Sequence, residues 1–241
     1  MKDKYYYSMS IEELYQKLRT SEEGLDLREV KKRQEKYGEN TLPKKKKDSI
    51  IKIFFSELLD PIVLLLIIAI IASFLVGETI DAIAIIFIVL VDLIIGTVEE
   101  NKANTTVEAL EKLVPEKVKV ERNGKELLID SKELTVGDFV YLESGDKISA
   151  DLRIIESHNL TVDESILTGE SLAVEKNSKP LSNKELSITE QTNMVFGGTS
   201  VVTGRAKAIV IGIGLNTEIG KIATTINNTK EEKSPLTIRV E

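Results

Sequence analysis

Apolar positions are distributed very unevenly along this chain. No residue from Pro61 to Gly77 carries a charge, and from Thr79 to Val98 only Asp81 and Asp92 do. Runs this long and this rich in Ile, Leu and Val are what a helix needs to cross a hydrocarbon layer of roughly 30 Å. They predict spans at about 58–76 and 80–98, joined at Gly77-Glu78-Thr79 by a turn too short to hold a domain, so that both ends of the hairpin leave on one side. The helical pattern persists past Val98 until Pro115. A helix from Thr79 to Leu113 would be about 52 Å long, and roughly 20 Å of it would stand clear of the bilayer as a stalk.

The flanks follow other periods. Before the spans, Ser10 with Glu13 and Asp26 with Glu29 have capping-box spacing and open two short helices, SIEELYQKL and DLREVKKRQEKY, the second stopped by Gly38. After the stalk, alternation takes over. EKVKVER and KELLID flank Asn123-Gly124, the dipeptide of a type I′ hairpin. FVYLE, LRIIES, LAVEK, NMVFGG, TSVVTG and RAKAIVIGIG read as further short strands, giving a β domain of Greek-key or distorted jelly-roll character. Thr217 to Asn228 returns to helical spacing. The chain therefore reads as an α+β membrane protein: amino-terminal helices over 1–48, hairpin and stalk over 49–114, a β domain over 115–228, and a linker over 229–241 that approaches another membrane helix.

Charge adds orientation and exclusions. Lys44 to Lys47 precede the first span while the 77–79 turn has no basic residue, which places the amino terminus and the β domain in the cytoplasm. Some 50 mostly polar residues ahead of the first apolar run do not suit a cleaved signal peptide. A net charge of −7, from 32 Lys and Arg against 39 Asp and Glu, argues against a nucleic-acid binder. With no cysteine, thiolate metal sites and disulfides are excluded. Asp92 lies within about 5 Å of its span's midpoint, where a carboxylate costs roughly 2.5–3.5 kcal/mol. Either it faces other helices or water, in a bundle larger than this hairpin, or it is protonated or snorkels.

Candidate chemistry is sparse. His158 is the only histidine, so no two-histidine site exists. Gly212, Gly214 and Gly220 miss the dinucleotide fingerprint because Thr217 stands at the third glycine, and Gly220-Lys221 misses the phosphate-loop pattern because Ile222 follows. Asp163 and Glu164 with Glu170 could be paired acid and base or a magnesium site, although solvated loop carboxylates are the commoner outcome. The distinctive run is Leu167-Thr168-Gly169-Glu170-Ser171, a turn that carries a carboxylate at its tip beside a glycine and could orient a water.

The stretch VDESILTGES resembles the actuator-domain signature of P-type cation-transporting ATPases, and the resemblance extends over nearly the whole chain. GLDLREVKKRQEKYGENTLP is similar to the family's amino-terminal cytosolic segment and the hairpin around GETIDAIAI to its first two membrane helices. TVGDFVYLESGDKISAD, NMVFGGTSVVTG and GLNTEIGKIA are similar to actuator strands and the closing helix. Two positions depart from the pattern: Ser149 stands where the family usually has proline, and Asp92 where asparagine is common.

The resemblance implies that the Thr-Gly-Glu-Ser loop swings to an aspartyl phosphate formed on another domain. Glu170 would position and polarise the attacking water, Thr168 and Gly169 would shape the loop, and Ser171 would support it. It implies ATP and Mg2+ for the complete pump, with further pump domains, the lipid bilayer and a transported cation as partners. The amino-terminal segment and hairpin resemble the calcium branch, while the sodium, proton and magnesium branches share the loop. The family's Asp-Lys-Thr-Gly-Thr phosphorylation motif does not occur in these 241 residues. The expectation is thus the amino-terminal part of a multi-pass cell-membrane pump, unable to hydrolyse ATP alone. A membrane-anchored β module acting as receptor or scaffold is the competing reading.

Overall fold

The computed structural model describes residues 5–42, 50–111, 114–182 and 184–228, and the chain divides into two compact units. The Lys44–Lys47 run, Leu113 and the 229–241 linker lie outside the described residues.

In the first unit (Met1–Pro43 with Leu110–Thr225) the amino-terminal segment forms α1 (Ile11–Leu18) and α2 (Leu27–Tyr37). Ser10 and Glu13 close the expected box, the Glu13 N–H donating to Ser10 Oγ at 3.2 Å and the Ser10 N–H to the Glu13 carboxylate at 2.9 Å. The second box does not form. Asp26 caps α2 alone, accepting from the Arg28 and Glu29 N–H groups at 2.8 Å each, because Glu29 turns instead to Arg33, 2.8 Å away. Arg33 in turn donates to the Val136 and Arg19 carbonyls at 2.7 and 2.9 Å, which fastens α2 to the β domain. Asn40 is a second fastening: its Nδ2 donates to the Ser131 and Ser149 carbonyls, and its Oδ1 accepts from the Gly214 N–H. The groups held by Asn40 are a backbone amide and carbonyls of buried residues, which would otherwise be left unsatisfied.

The β domain holds β1 (Lys117–Arg122), β2 (Lys125–Asp130), β3 (Phe139–Glu143), β4 (Asp151–Asp163), β5 (Val174–Glu175), β6 (Met194–Val195) and β7 (Ser200–Gly212), with the one-turn α6 (Ser165–Thr168) between β4 and β5 and α7 (Glu218–Asn228) at the end. All pairings between these strands are antiparallel, in the order β2-β1-β3-β7-β4-β5, and β6 joins β4. Asn123 and Gly124 have φ of 51° and 64°, as a type I′ turn requires. Sequential strands β3 and β4 are separated by β7, so the sheet is closed by long-range pairing. Its buried face is aliphatic: Val140, Leu142, Leu152, Ile154, Val162, Val201, Ala208 and Val210 form one cluster.

The strand boundaries differ from those expected. TSVVTG and RAKAIVIGIG are one strand, β7, and LRIIES extends to Asp163 as β4. Gly204, read as a separator, instead sits at a bulge with φ 81° opposite Asn159, itself at φ 48°. A Cβ there would stand 2.3 Å from the Asn159 carbonyl oxygen, so glycine lets the ladder bend without breaking. His158 is an exposed residue within β4 opposite Arg205.

The second unit (Lys44–Ala109 with Ile226–Glu241) contains α3 (Ile50–Glu57), α4 (Pro61–Val76) and most of α5 (Thr79–Glu111). The first apolar run does not begin its helix at Leu58. Pro61 stands at the first turn and Asp60 accepts from the Ile62 N–H at 2.8 Å, so the chain breaks at 58–60 and α3 meets α4 at 69°. Among the described residues one helix, Thr79–Glu99, is long and apolar enough to cross a membrane by itself, and a second span exists only if the bent pair counts as one. Val63 of α4 packs against Val89 and Leu93 of α5. Asp92 is off that face and exposed.

Candidate functional site: a carboxylate on a braced loop

The singled-out run is the connection from β4 to β5. Val162 pairs with Val174, so the loop leaves and re-enters the sheet at adjacent points. Asp163 Oδ1 accepts from the Ser165 N–H at 2.9 Å and starts α6, and the donors of Ser165 hold the Asp163 carboxyl below the usual carboxylate range. The Leu167 side chain lies against the Tyr7, Met194 and Phe196 cluster, which pins the helix to the domain. Gly169 ends the turn at φ 76°, its N–H donating to the Ser165 carbonyl at 2.9 Å. A Cβ at Gly169 would meet nothing within 4 Å, so glycine is needed there for its conformation and not for space.

Thr168, Gly169, Glu170 and Ser171 are consecutive, and the last three are exposed. Thr168 Oγ1 donates to the Glu164 carbonyl and accepts from the Glu170 N–H, both at 3.1 Å, fixing the backbone from which Glu170 projects. The Glu170 carboxylate has no hydrogen bond or ion pair among the described residues and is free to act on whatever approaches the tip. Ser171 is exposed beside it, with no hydrogen bond from its hydroxyl among the described residues. Leu172, next along, is 83% exposed, an apolar group at the same tip.

The three carboxylates do not converge. Asp163 is occupied by the start of α6, and Glu164 is buried with its carboxylate 2.7 Å from the equally buried Lys176 ammonium. Burial pushes Glu164 up and Lys176 down, and each is opposed by the other's charge. This ion pair was not foreseen, yet the alternation contains a signal for it. Glu164 has the parity of inward Val162, and Lys176 has that of its partner Val174, so opposite charges fall on the inner side at both ends of one loop.

Residues 112–227 match the family model of the P-type ATPase actuator domain, and residues 6–73 that of the cation transporter/ATPase amino terminus. A calcium-transporting ATPase of Listeria monocytogenes is 40% identical over 235 residues, which is 98% of this chain and 27% of that protein. The chain belongs to the P-type ATPases. A calcium-transporting ATPase of Bacillus subtilis is 40% identical over 98% of the chain and 27% of its own length, and a P-type sodium-transporting ATPase of Plasmodium falciparum is 38% identical over 94% and 18%. This P-type ATPase chain thus spans about a quarter of the length of its bacterial relatives, with the β domain as its actuator.

The departure at Ser149 also has a structural setting. Ser149 is buried, its carbonyl accepts from Asn40, and its hydroxyl has no hydrogen-bond partner among the described residues. Two residues on, Asp151 accepts from the Gly197 N–H at 3.0 Å and the Glu218 N–H at 2.9 Å, joining β4 to the start of α7.

Proposed function

We propose that this chain serves as actuator and first membrane hairpin of an ATP-driven pump that transports Ca2+, and that Glu170 directs the hydrolysis of an aspartyl phosphate formed on another domain of that pump. The observation that carries this reading is the loop: a bare carboxylate on a tip held from behind by Thr168 and α6, with open space around Gly169. An anion beside a phosphate is repelled by it, so Glu170 acts by holding a water in line and accepting its proton. Thr168 and Gly169 set the loop's shape, and Ser171 supports it at the phosphate. ATP and Mg2+ are engaged by the domains that carry out phosphorylation.

The finer architecture belongs to the same proposal. The actuator strands form a distorted jelly roll on the cytoplasmic side, with the amino terminus on that side too. The bent pair α3–α4 and the Thr79–Glu99 part of α5 are two spans of a multi-pass protein in the cell membrane, and lipid covers their apolar faces. Asp92, off the α4–α5 contact, then faces further helices or water. Calcium is favoured over sodium by the names of the bacterial relatives, which are calcium-transporting ATPases, and by the amino-terminal segment.

The test is ATP-dependent 45Ca2+ uptake into inside-out vesicles holding the complete pump, together with acid-stable labelling from [γ-32P]ATP. Uptake and Ca2+-stimulated labelling are expected. Labelling stimulated by Na+ but not Ca2+ would overturn the choice of ion, and no acid-stable phosphoenzyme would overturn the pump reading.

A further inference from the structure

The loop that carries Glu170 is joined at its base by two buried, oppositely charged side chains. Glu164 is the last residue before α6 and Lys176 the first after β5; they are 1% and 2% exposed. Eleven residues, 165–175, lie between them. The Lys176 ammonium is 2.7 Å from the Glu164 carboxylate and 3.3 Å from the Gln191 carbonyl, and the Lys176 N–H donates to the Leu160 carbonyl at 2.9 Å. Apart from Lys176, the Glu164 carboxylate has no polar partner among the described residues, and both its oxygens are sealed from solvent.

Burying an ion pair is a poor way to gain stability, since the desolvation of both charges offsets much of their attraction. The arrangement at the backbone suggests another use. The Glu164 carbonyl accepts from the Leu167 N–H at 2.9 Å, the Thr168 N–H at 3.1 Å and Thr168 Oγ1 at 3.1 Å. Thr168 Oγ1 then accepts from the Glu170 N–H at 3.1 Å. A continuous path of polar contacts therefore runs from Lys176 through Glu164 and Thr168 to the backbone of Glu170. Where Glu164 is held by its carboxylate, its carbonyl is held too, and with it the turn that aims Glu170.

We propose that Glu164 and Lys176 are positioning residues for Glu170, a buried brace that keeps the hydrolytic loop in register. This rests on the reading of Glu170 as the group that directs dephosphorylation. Neither residue touches the phosphate; both act through Thr168. A misplacement of about 1 Å at a reacting group can cost on the order of 100-fold in rate, so loosening the brace is expected to appear in the hydrolytic step.

The test measures phosphoenzyme formation and decay in the complete pump for Glu164→Met/Lys176→Met, Glu170→Gln and the triple variant. Two methionines fill the same space without leaving an uncompensated buried charge, so the domain keeps its fold, but their flexible chains do not fix the Glu164 backbone. Phosphoenzyme is expected to form to the wild-type level and to decay about 10- to 100-fold more slowly in the double variant. Adding the double change to Glu170→Gln is expected to slow decay no further. Wild-type decay in the double variant, loss of phosphoenzyme formation, or a slowing that persists undiminished in the Glu170→Gln background would each assign the pair a purely structural part and overturn the proposal. Wild-type decay in Glu170→Gln alone would instead remove the reading on which it rests.

Discussion

At the residue scale, the informative side chains are charged groups in apolar surroundings. Arg153 is fully buried and donates to the carbonyls of Ile154, Met9, Ser178 and Asn193, so a permanent charge is spread over backbone dipoles, and burial lowers its pKa to about 10. Asp151 is the counterpart among the acids. Burial raises its pKa to about 7 against two backbone N–H donors that favour the charged form, with Glu218 raising and Lys221 lowering it further. A carboxyl that binds its proton more tightly when folded gives stability that is complete below its ordinary pKa and is lost as pH rises towards the folded value. Asn cannot titrate. The stability difference between the wild-type chain and Asp151→Asn is therefore expected to move against wild type from about pH 4 to pH 7. Urea unfolding of the detergent-solubilised chain across that range measures it, and a difference that stays constant or moves the other way contradicts the assignment.

At the scale of elements, two glycines of similar conformation play unlike parts. Gly204 in β7 and Gly169 after α6 have φ of 81° and 76°, but a Cβ at Gly204 would collide with the Asn159 and His158 carbonyls, whereas at Gly169 it would meet open space. Gly169→Ala is expected to cost about 1–2 kcal/mol, the strain of the left-handed conformation alone. Gly204→Ala adds a backbone clash across the bulge, for a total above about 3 kcal/mol. Equal losses in denaturant unfolding would mean that β7 yields at the bulge.

The same elements indicate how far the sequence could be read. The Ser10 box, the Asn123-Gly124 turn and the alternation of β1 were legible because each is decided within a few residues. The continuity of β7 through Gly204 was not, since whether a glycine ends a strand or bulges it depends on Asn159 in a partner some 45 positions away. Likewise the Asp26 spacing matched a capping box, but Arg33, engaged with the β domain, drew Glu29 away. The break before Pro61 was present as Asp-Pro and was outweighed by continuous hydrophobicity. Of the loop, the exposed Thr168–Ser171 tip was recognisable by resemblance, while the Glu164–Lys176 brace required two parities to be combined across the chain.

At the scale of the whole molecule, we propose that the tip carrying Glu170 serves a phosphate formed on another domain of the pump, on the cytoplasmic side of the membrane. Because the chain lacks cysteine, single cysteines introduced at positions 78 and 170 report sidedness without background. Position 78 is expected to react with an impermeant maleimide added outside intact cells, and position 170 only after permeabilisation. External labelling at 170 would contradict the topology. The role of Glu170 is tested by a chase with unlabelled ATP after phosphorylation of the complete pump carrying Glu170→Gln. The amide keeps the size of the carboxylate but lacks its charge and basicity, and a side chain at an exposed tip contributes little to packing. Phosphoenzyme formation is expected to be unchanged and its decay slowed by about 10²- to 10⁴-fold. Decay at the wild-type rate would contradict the account and leave Glu170 an ordinary surface residue of a turn.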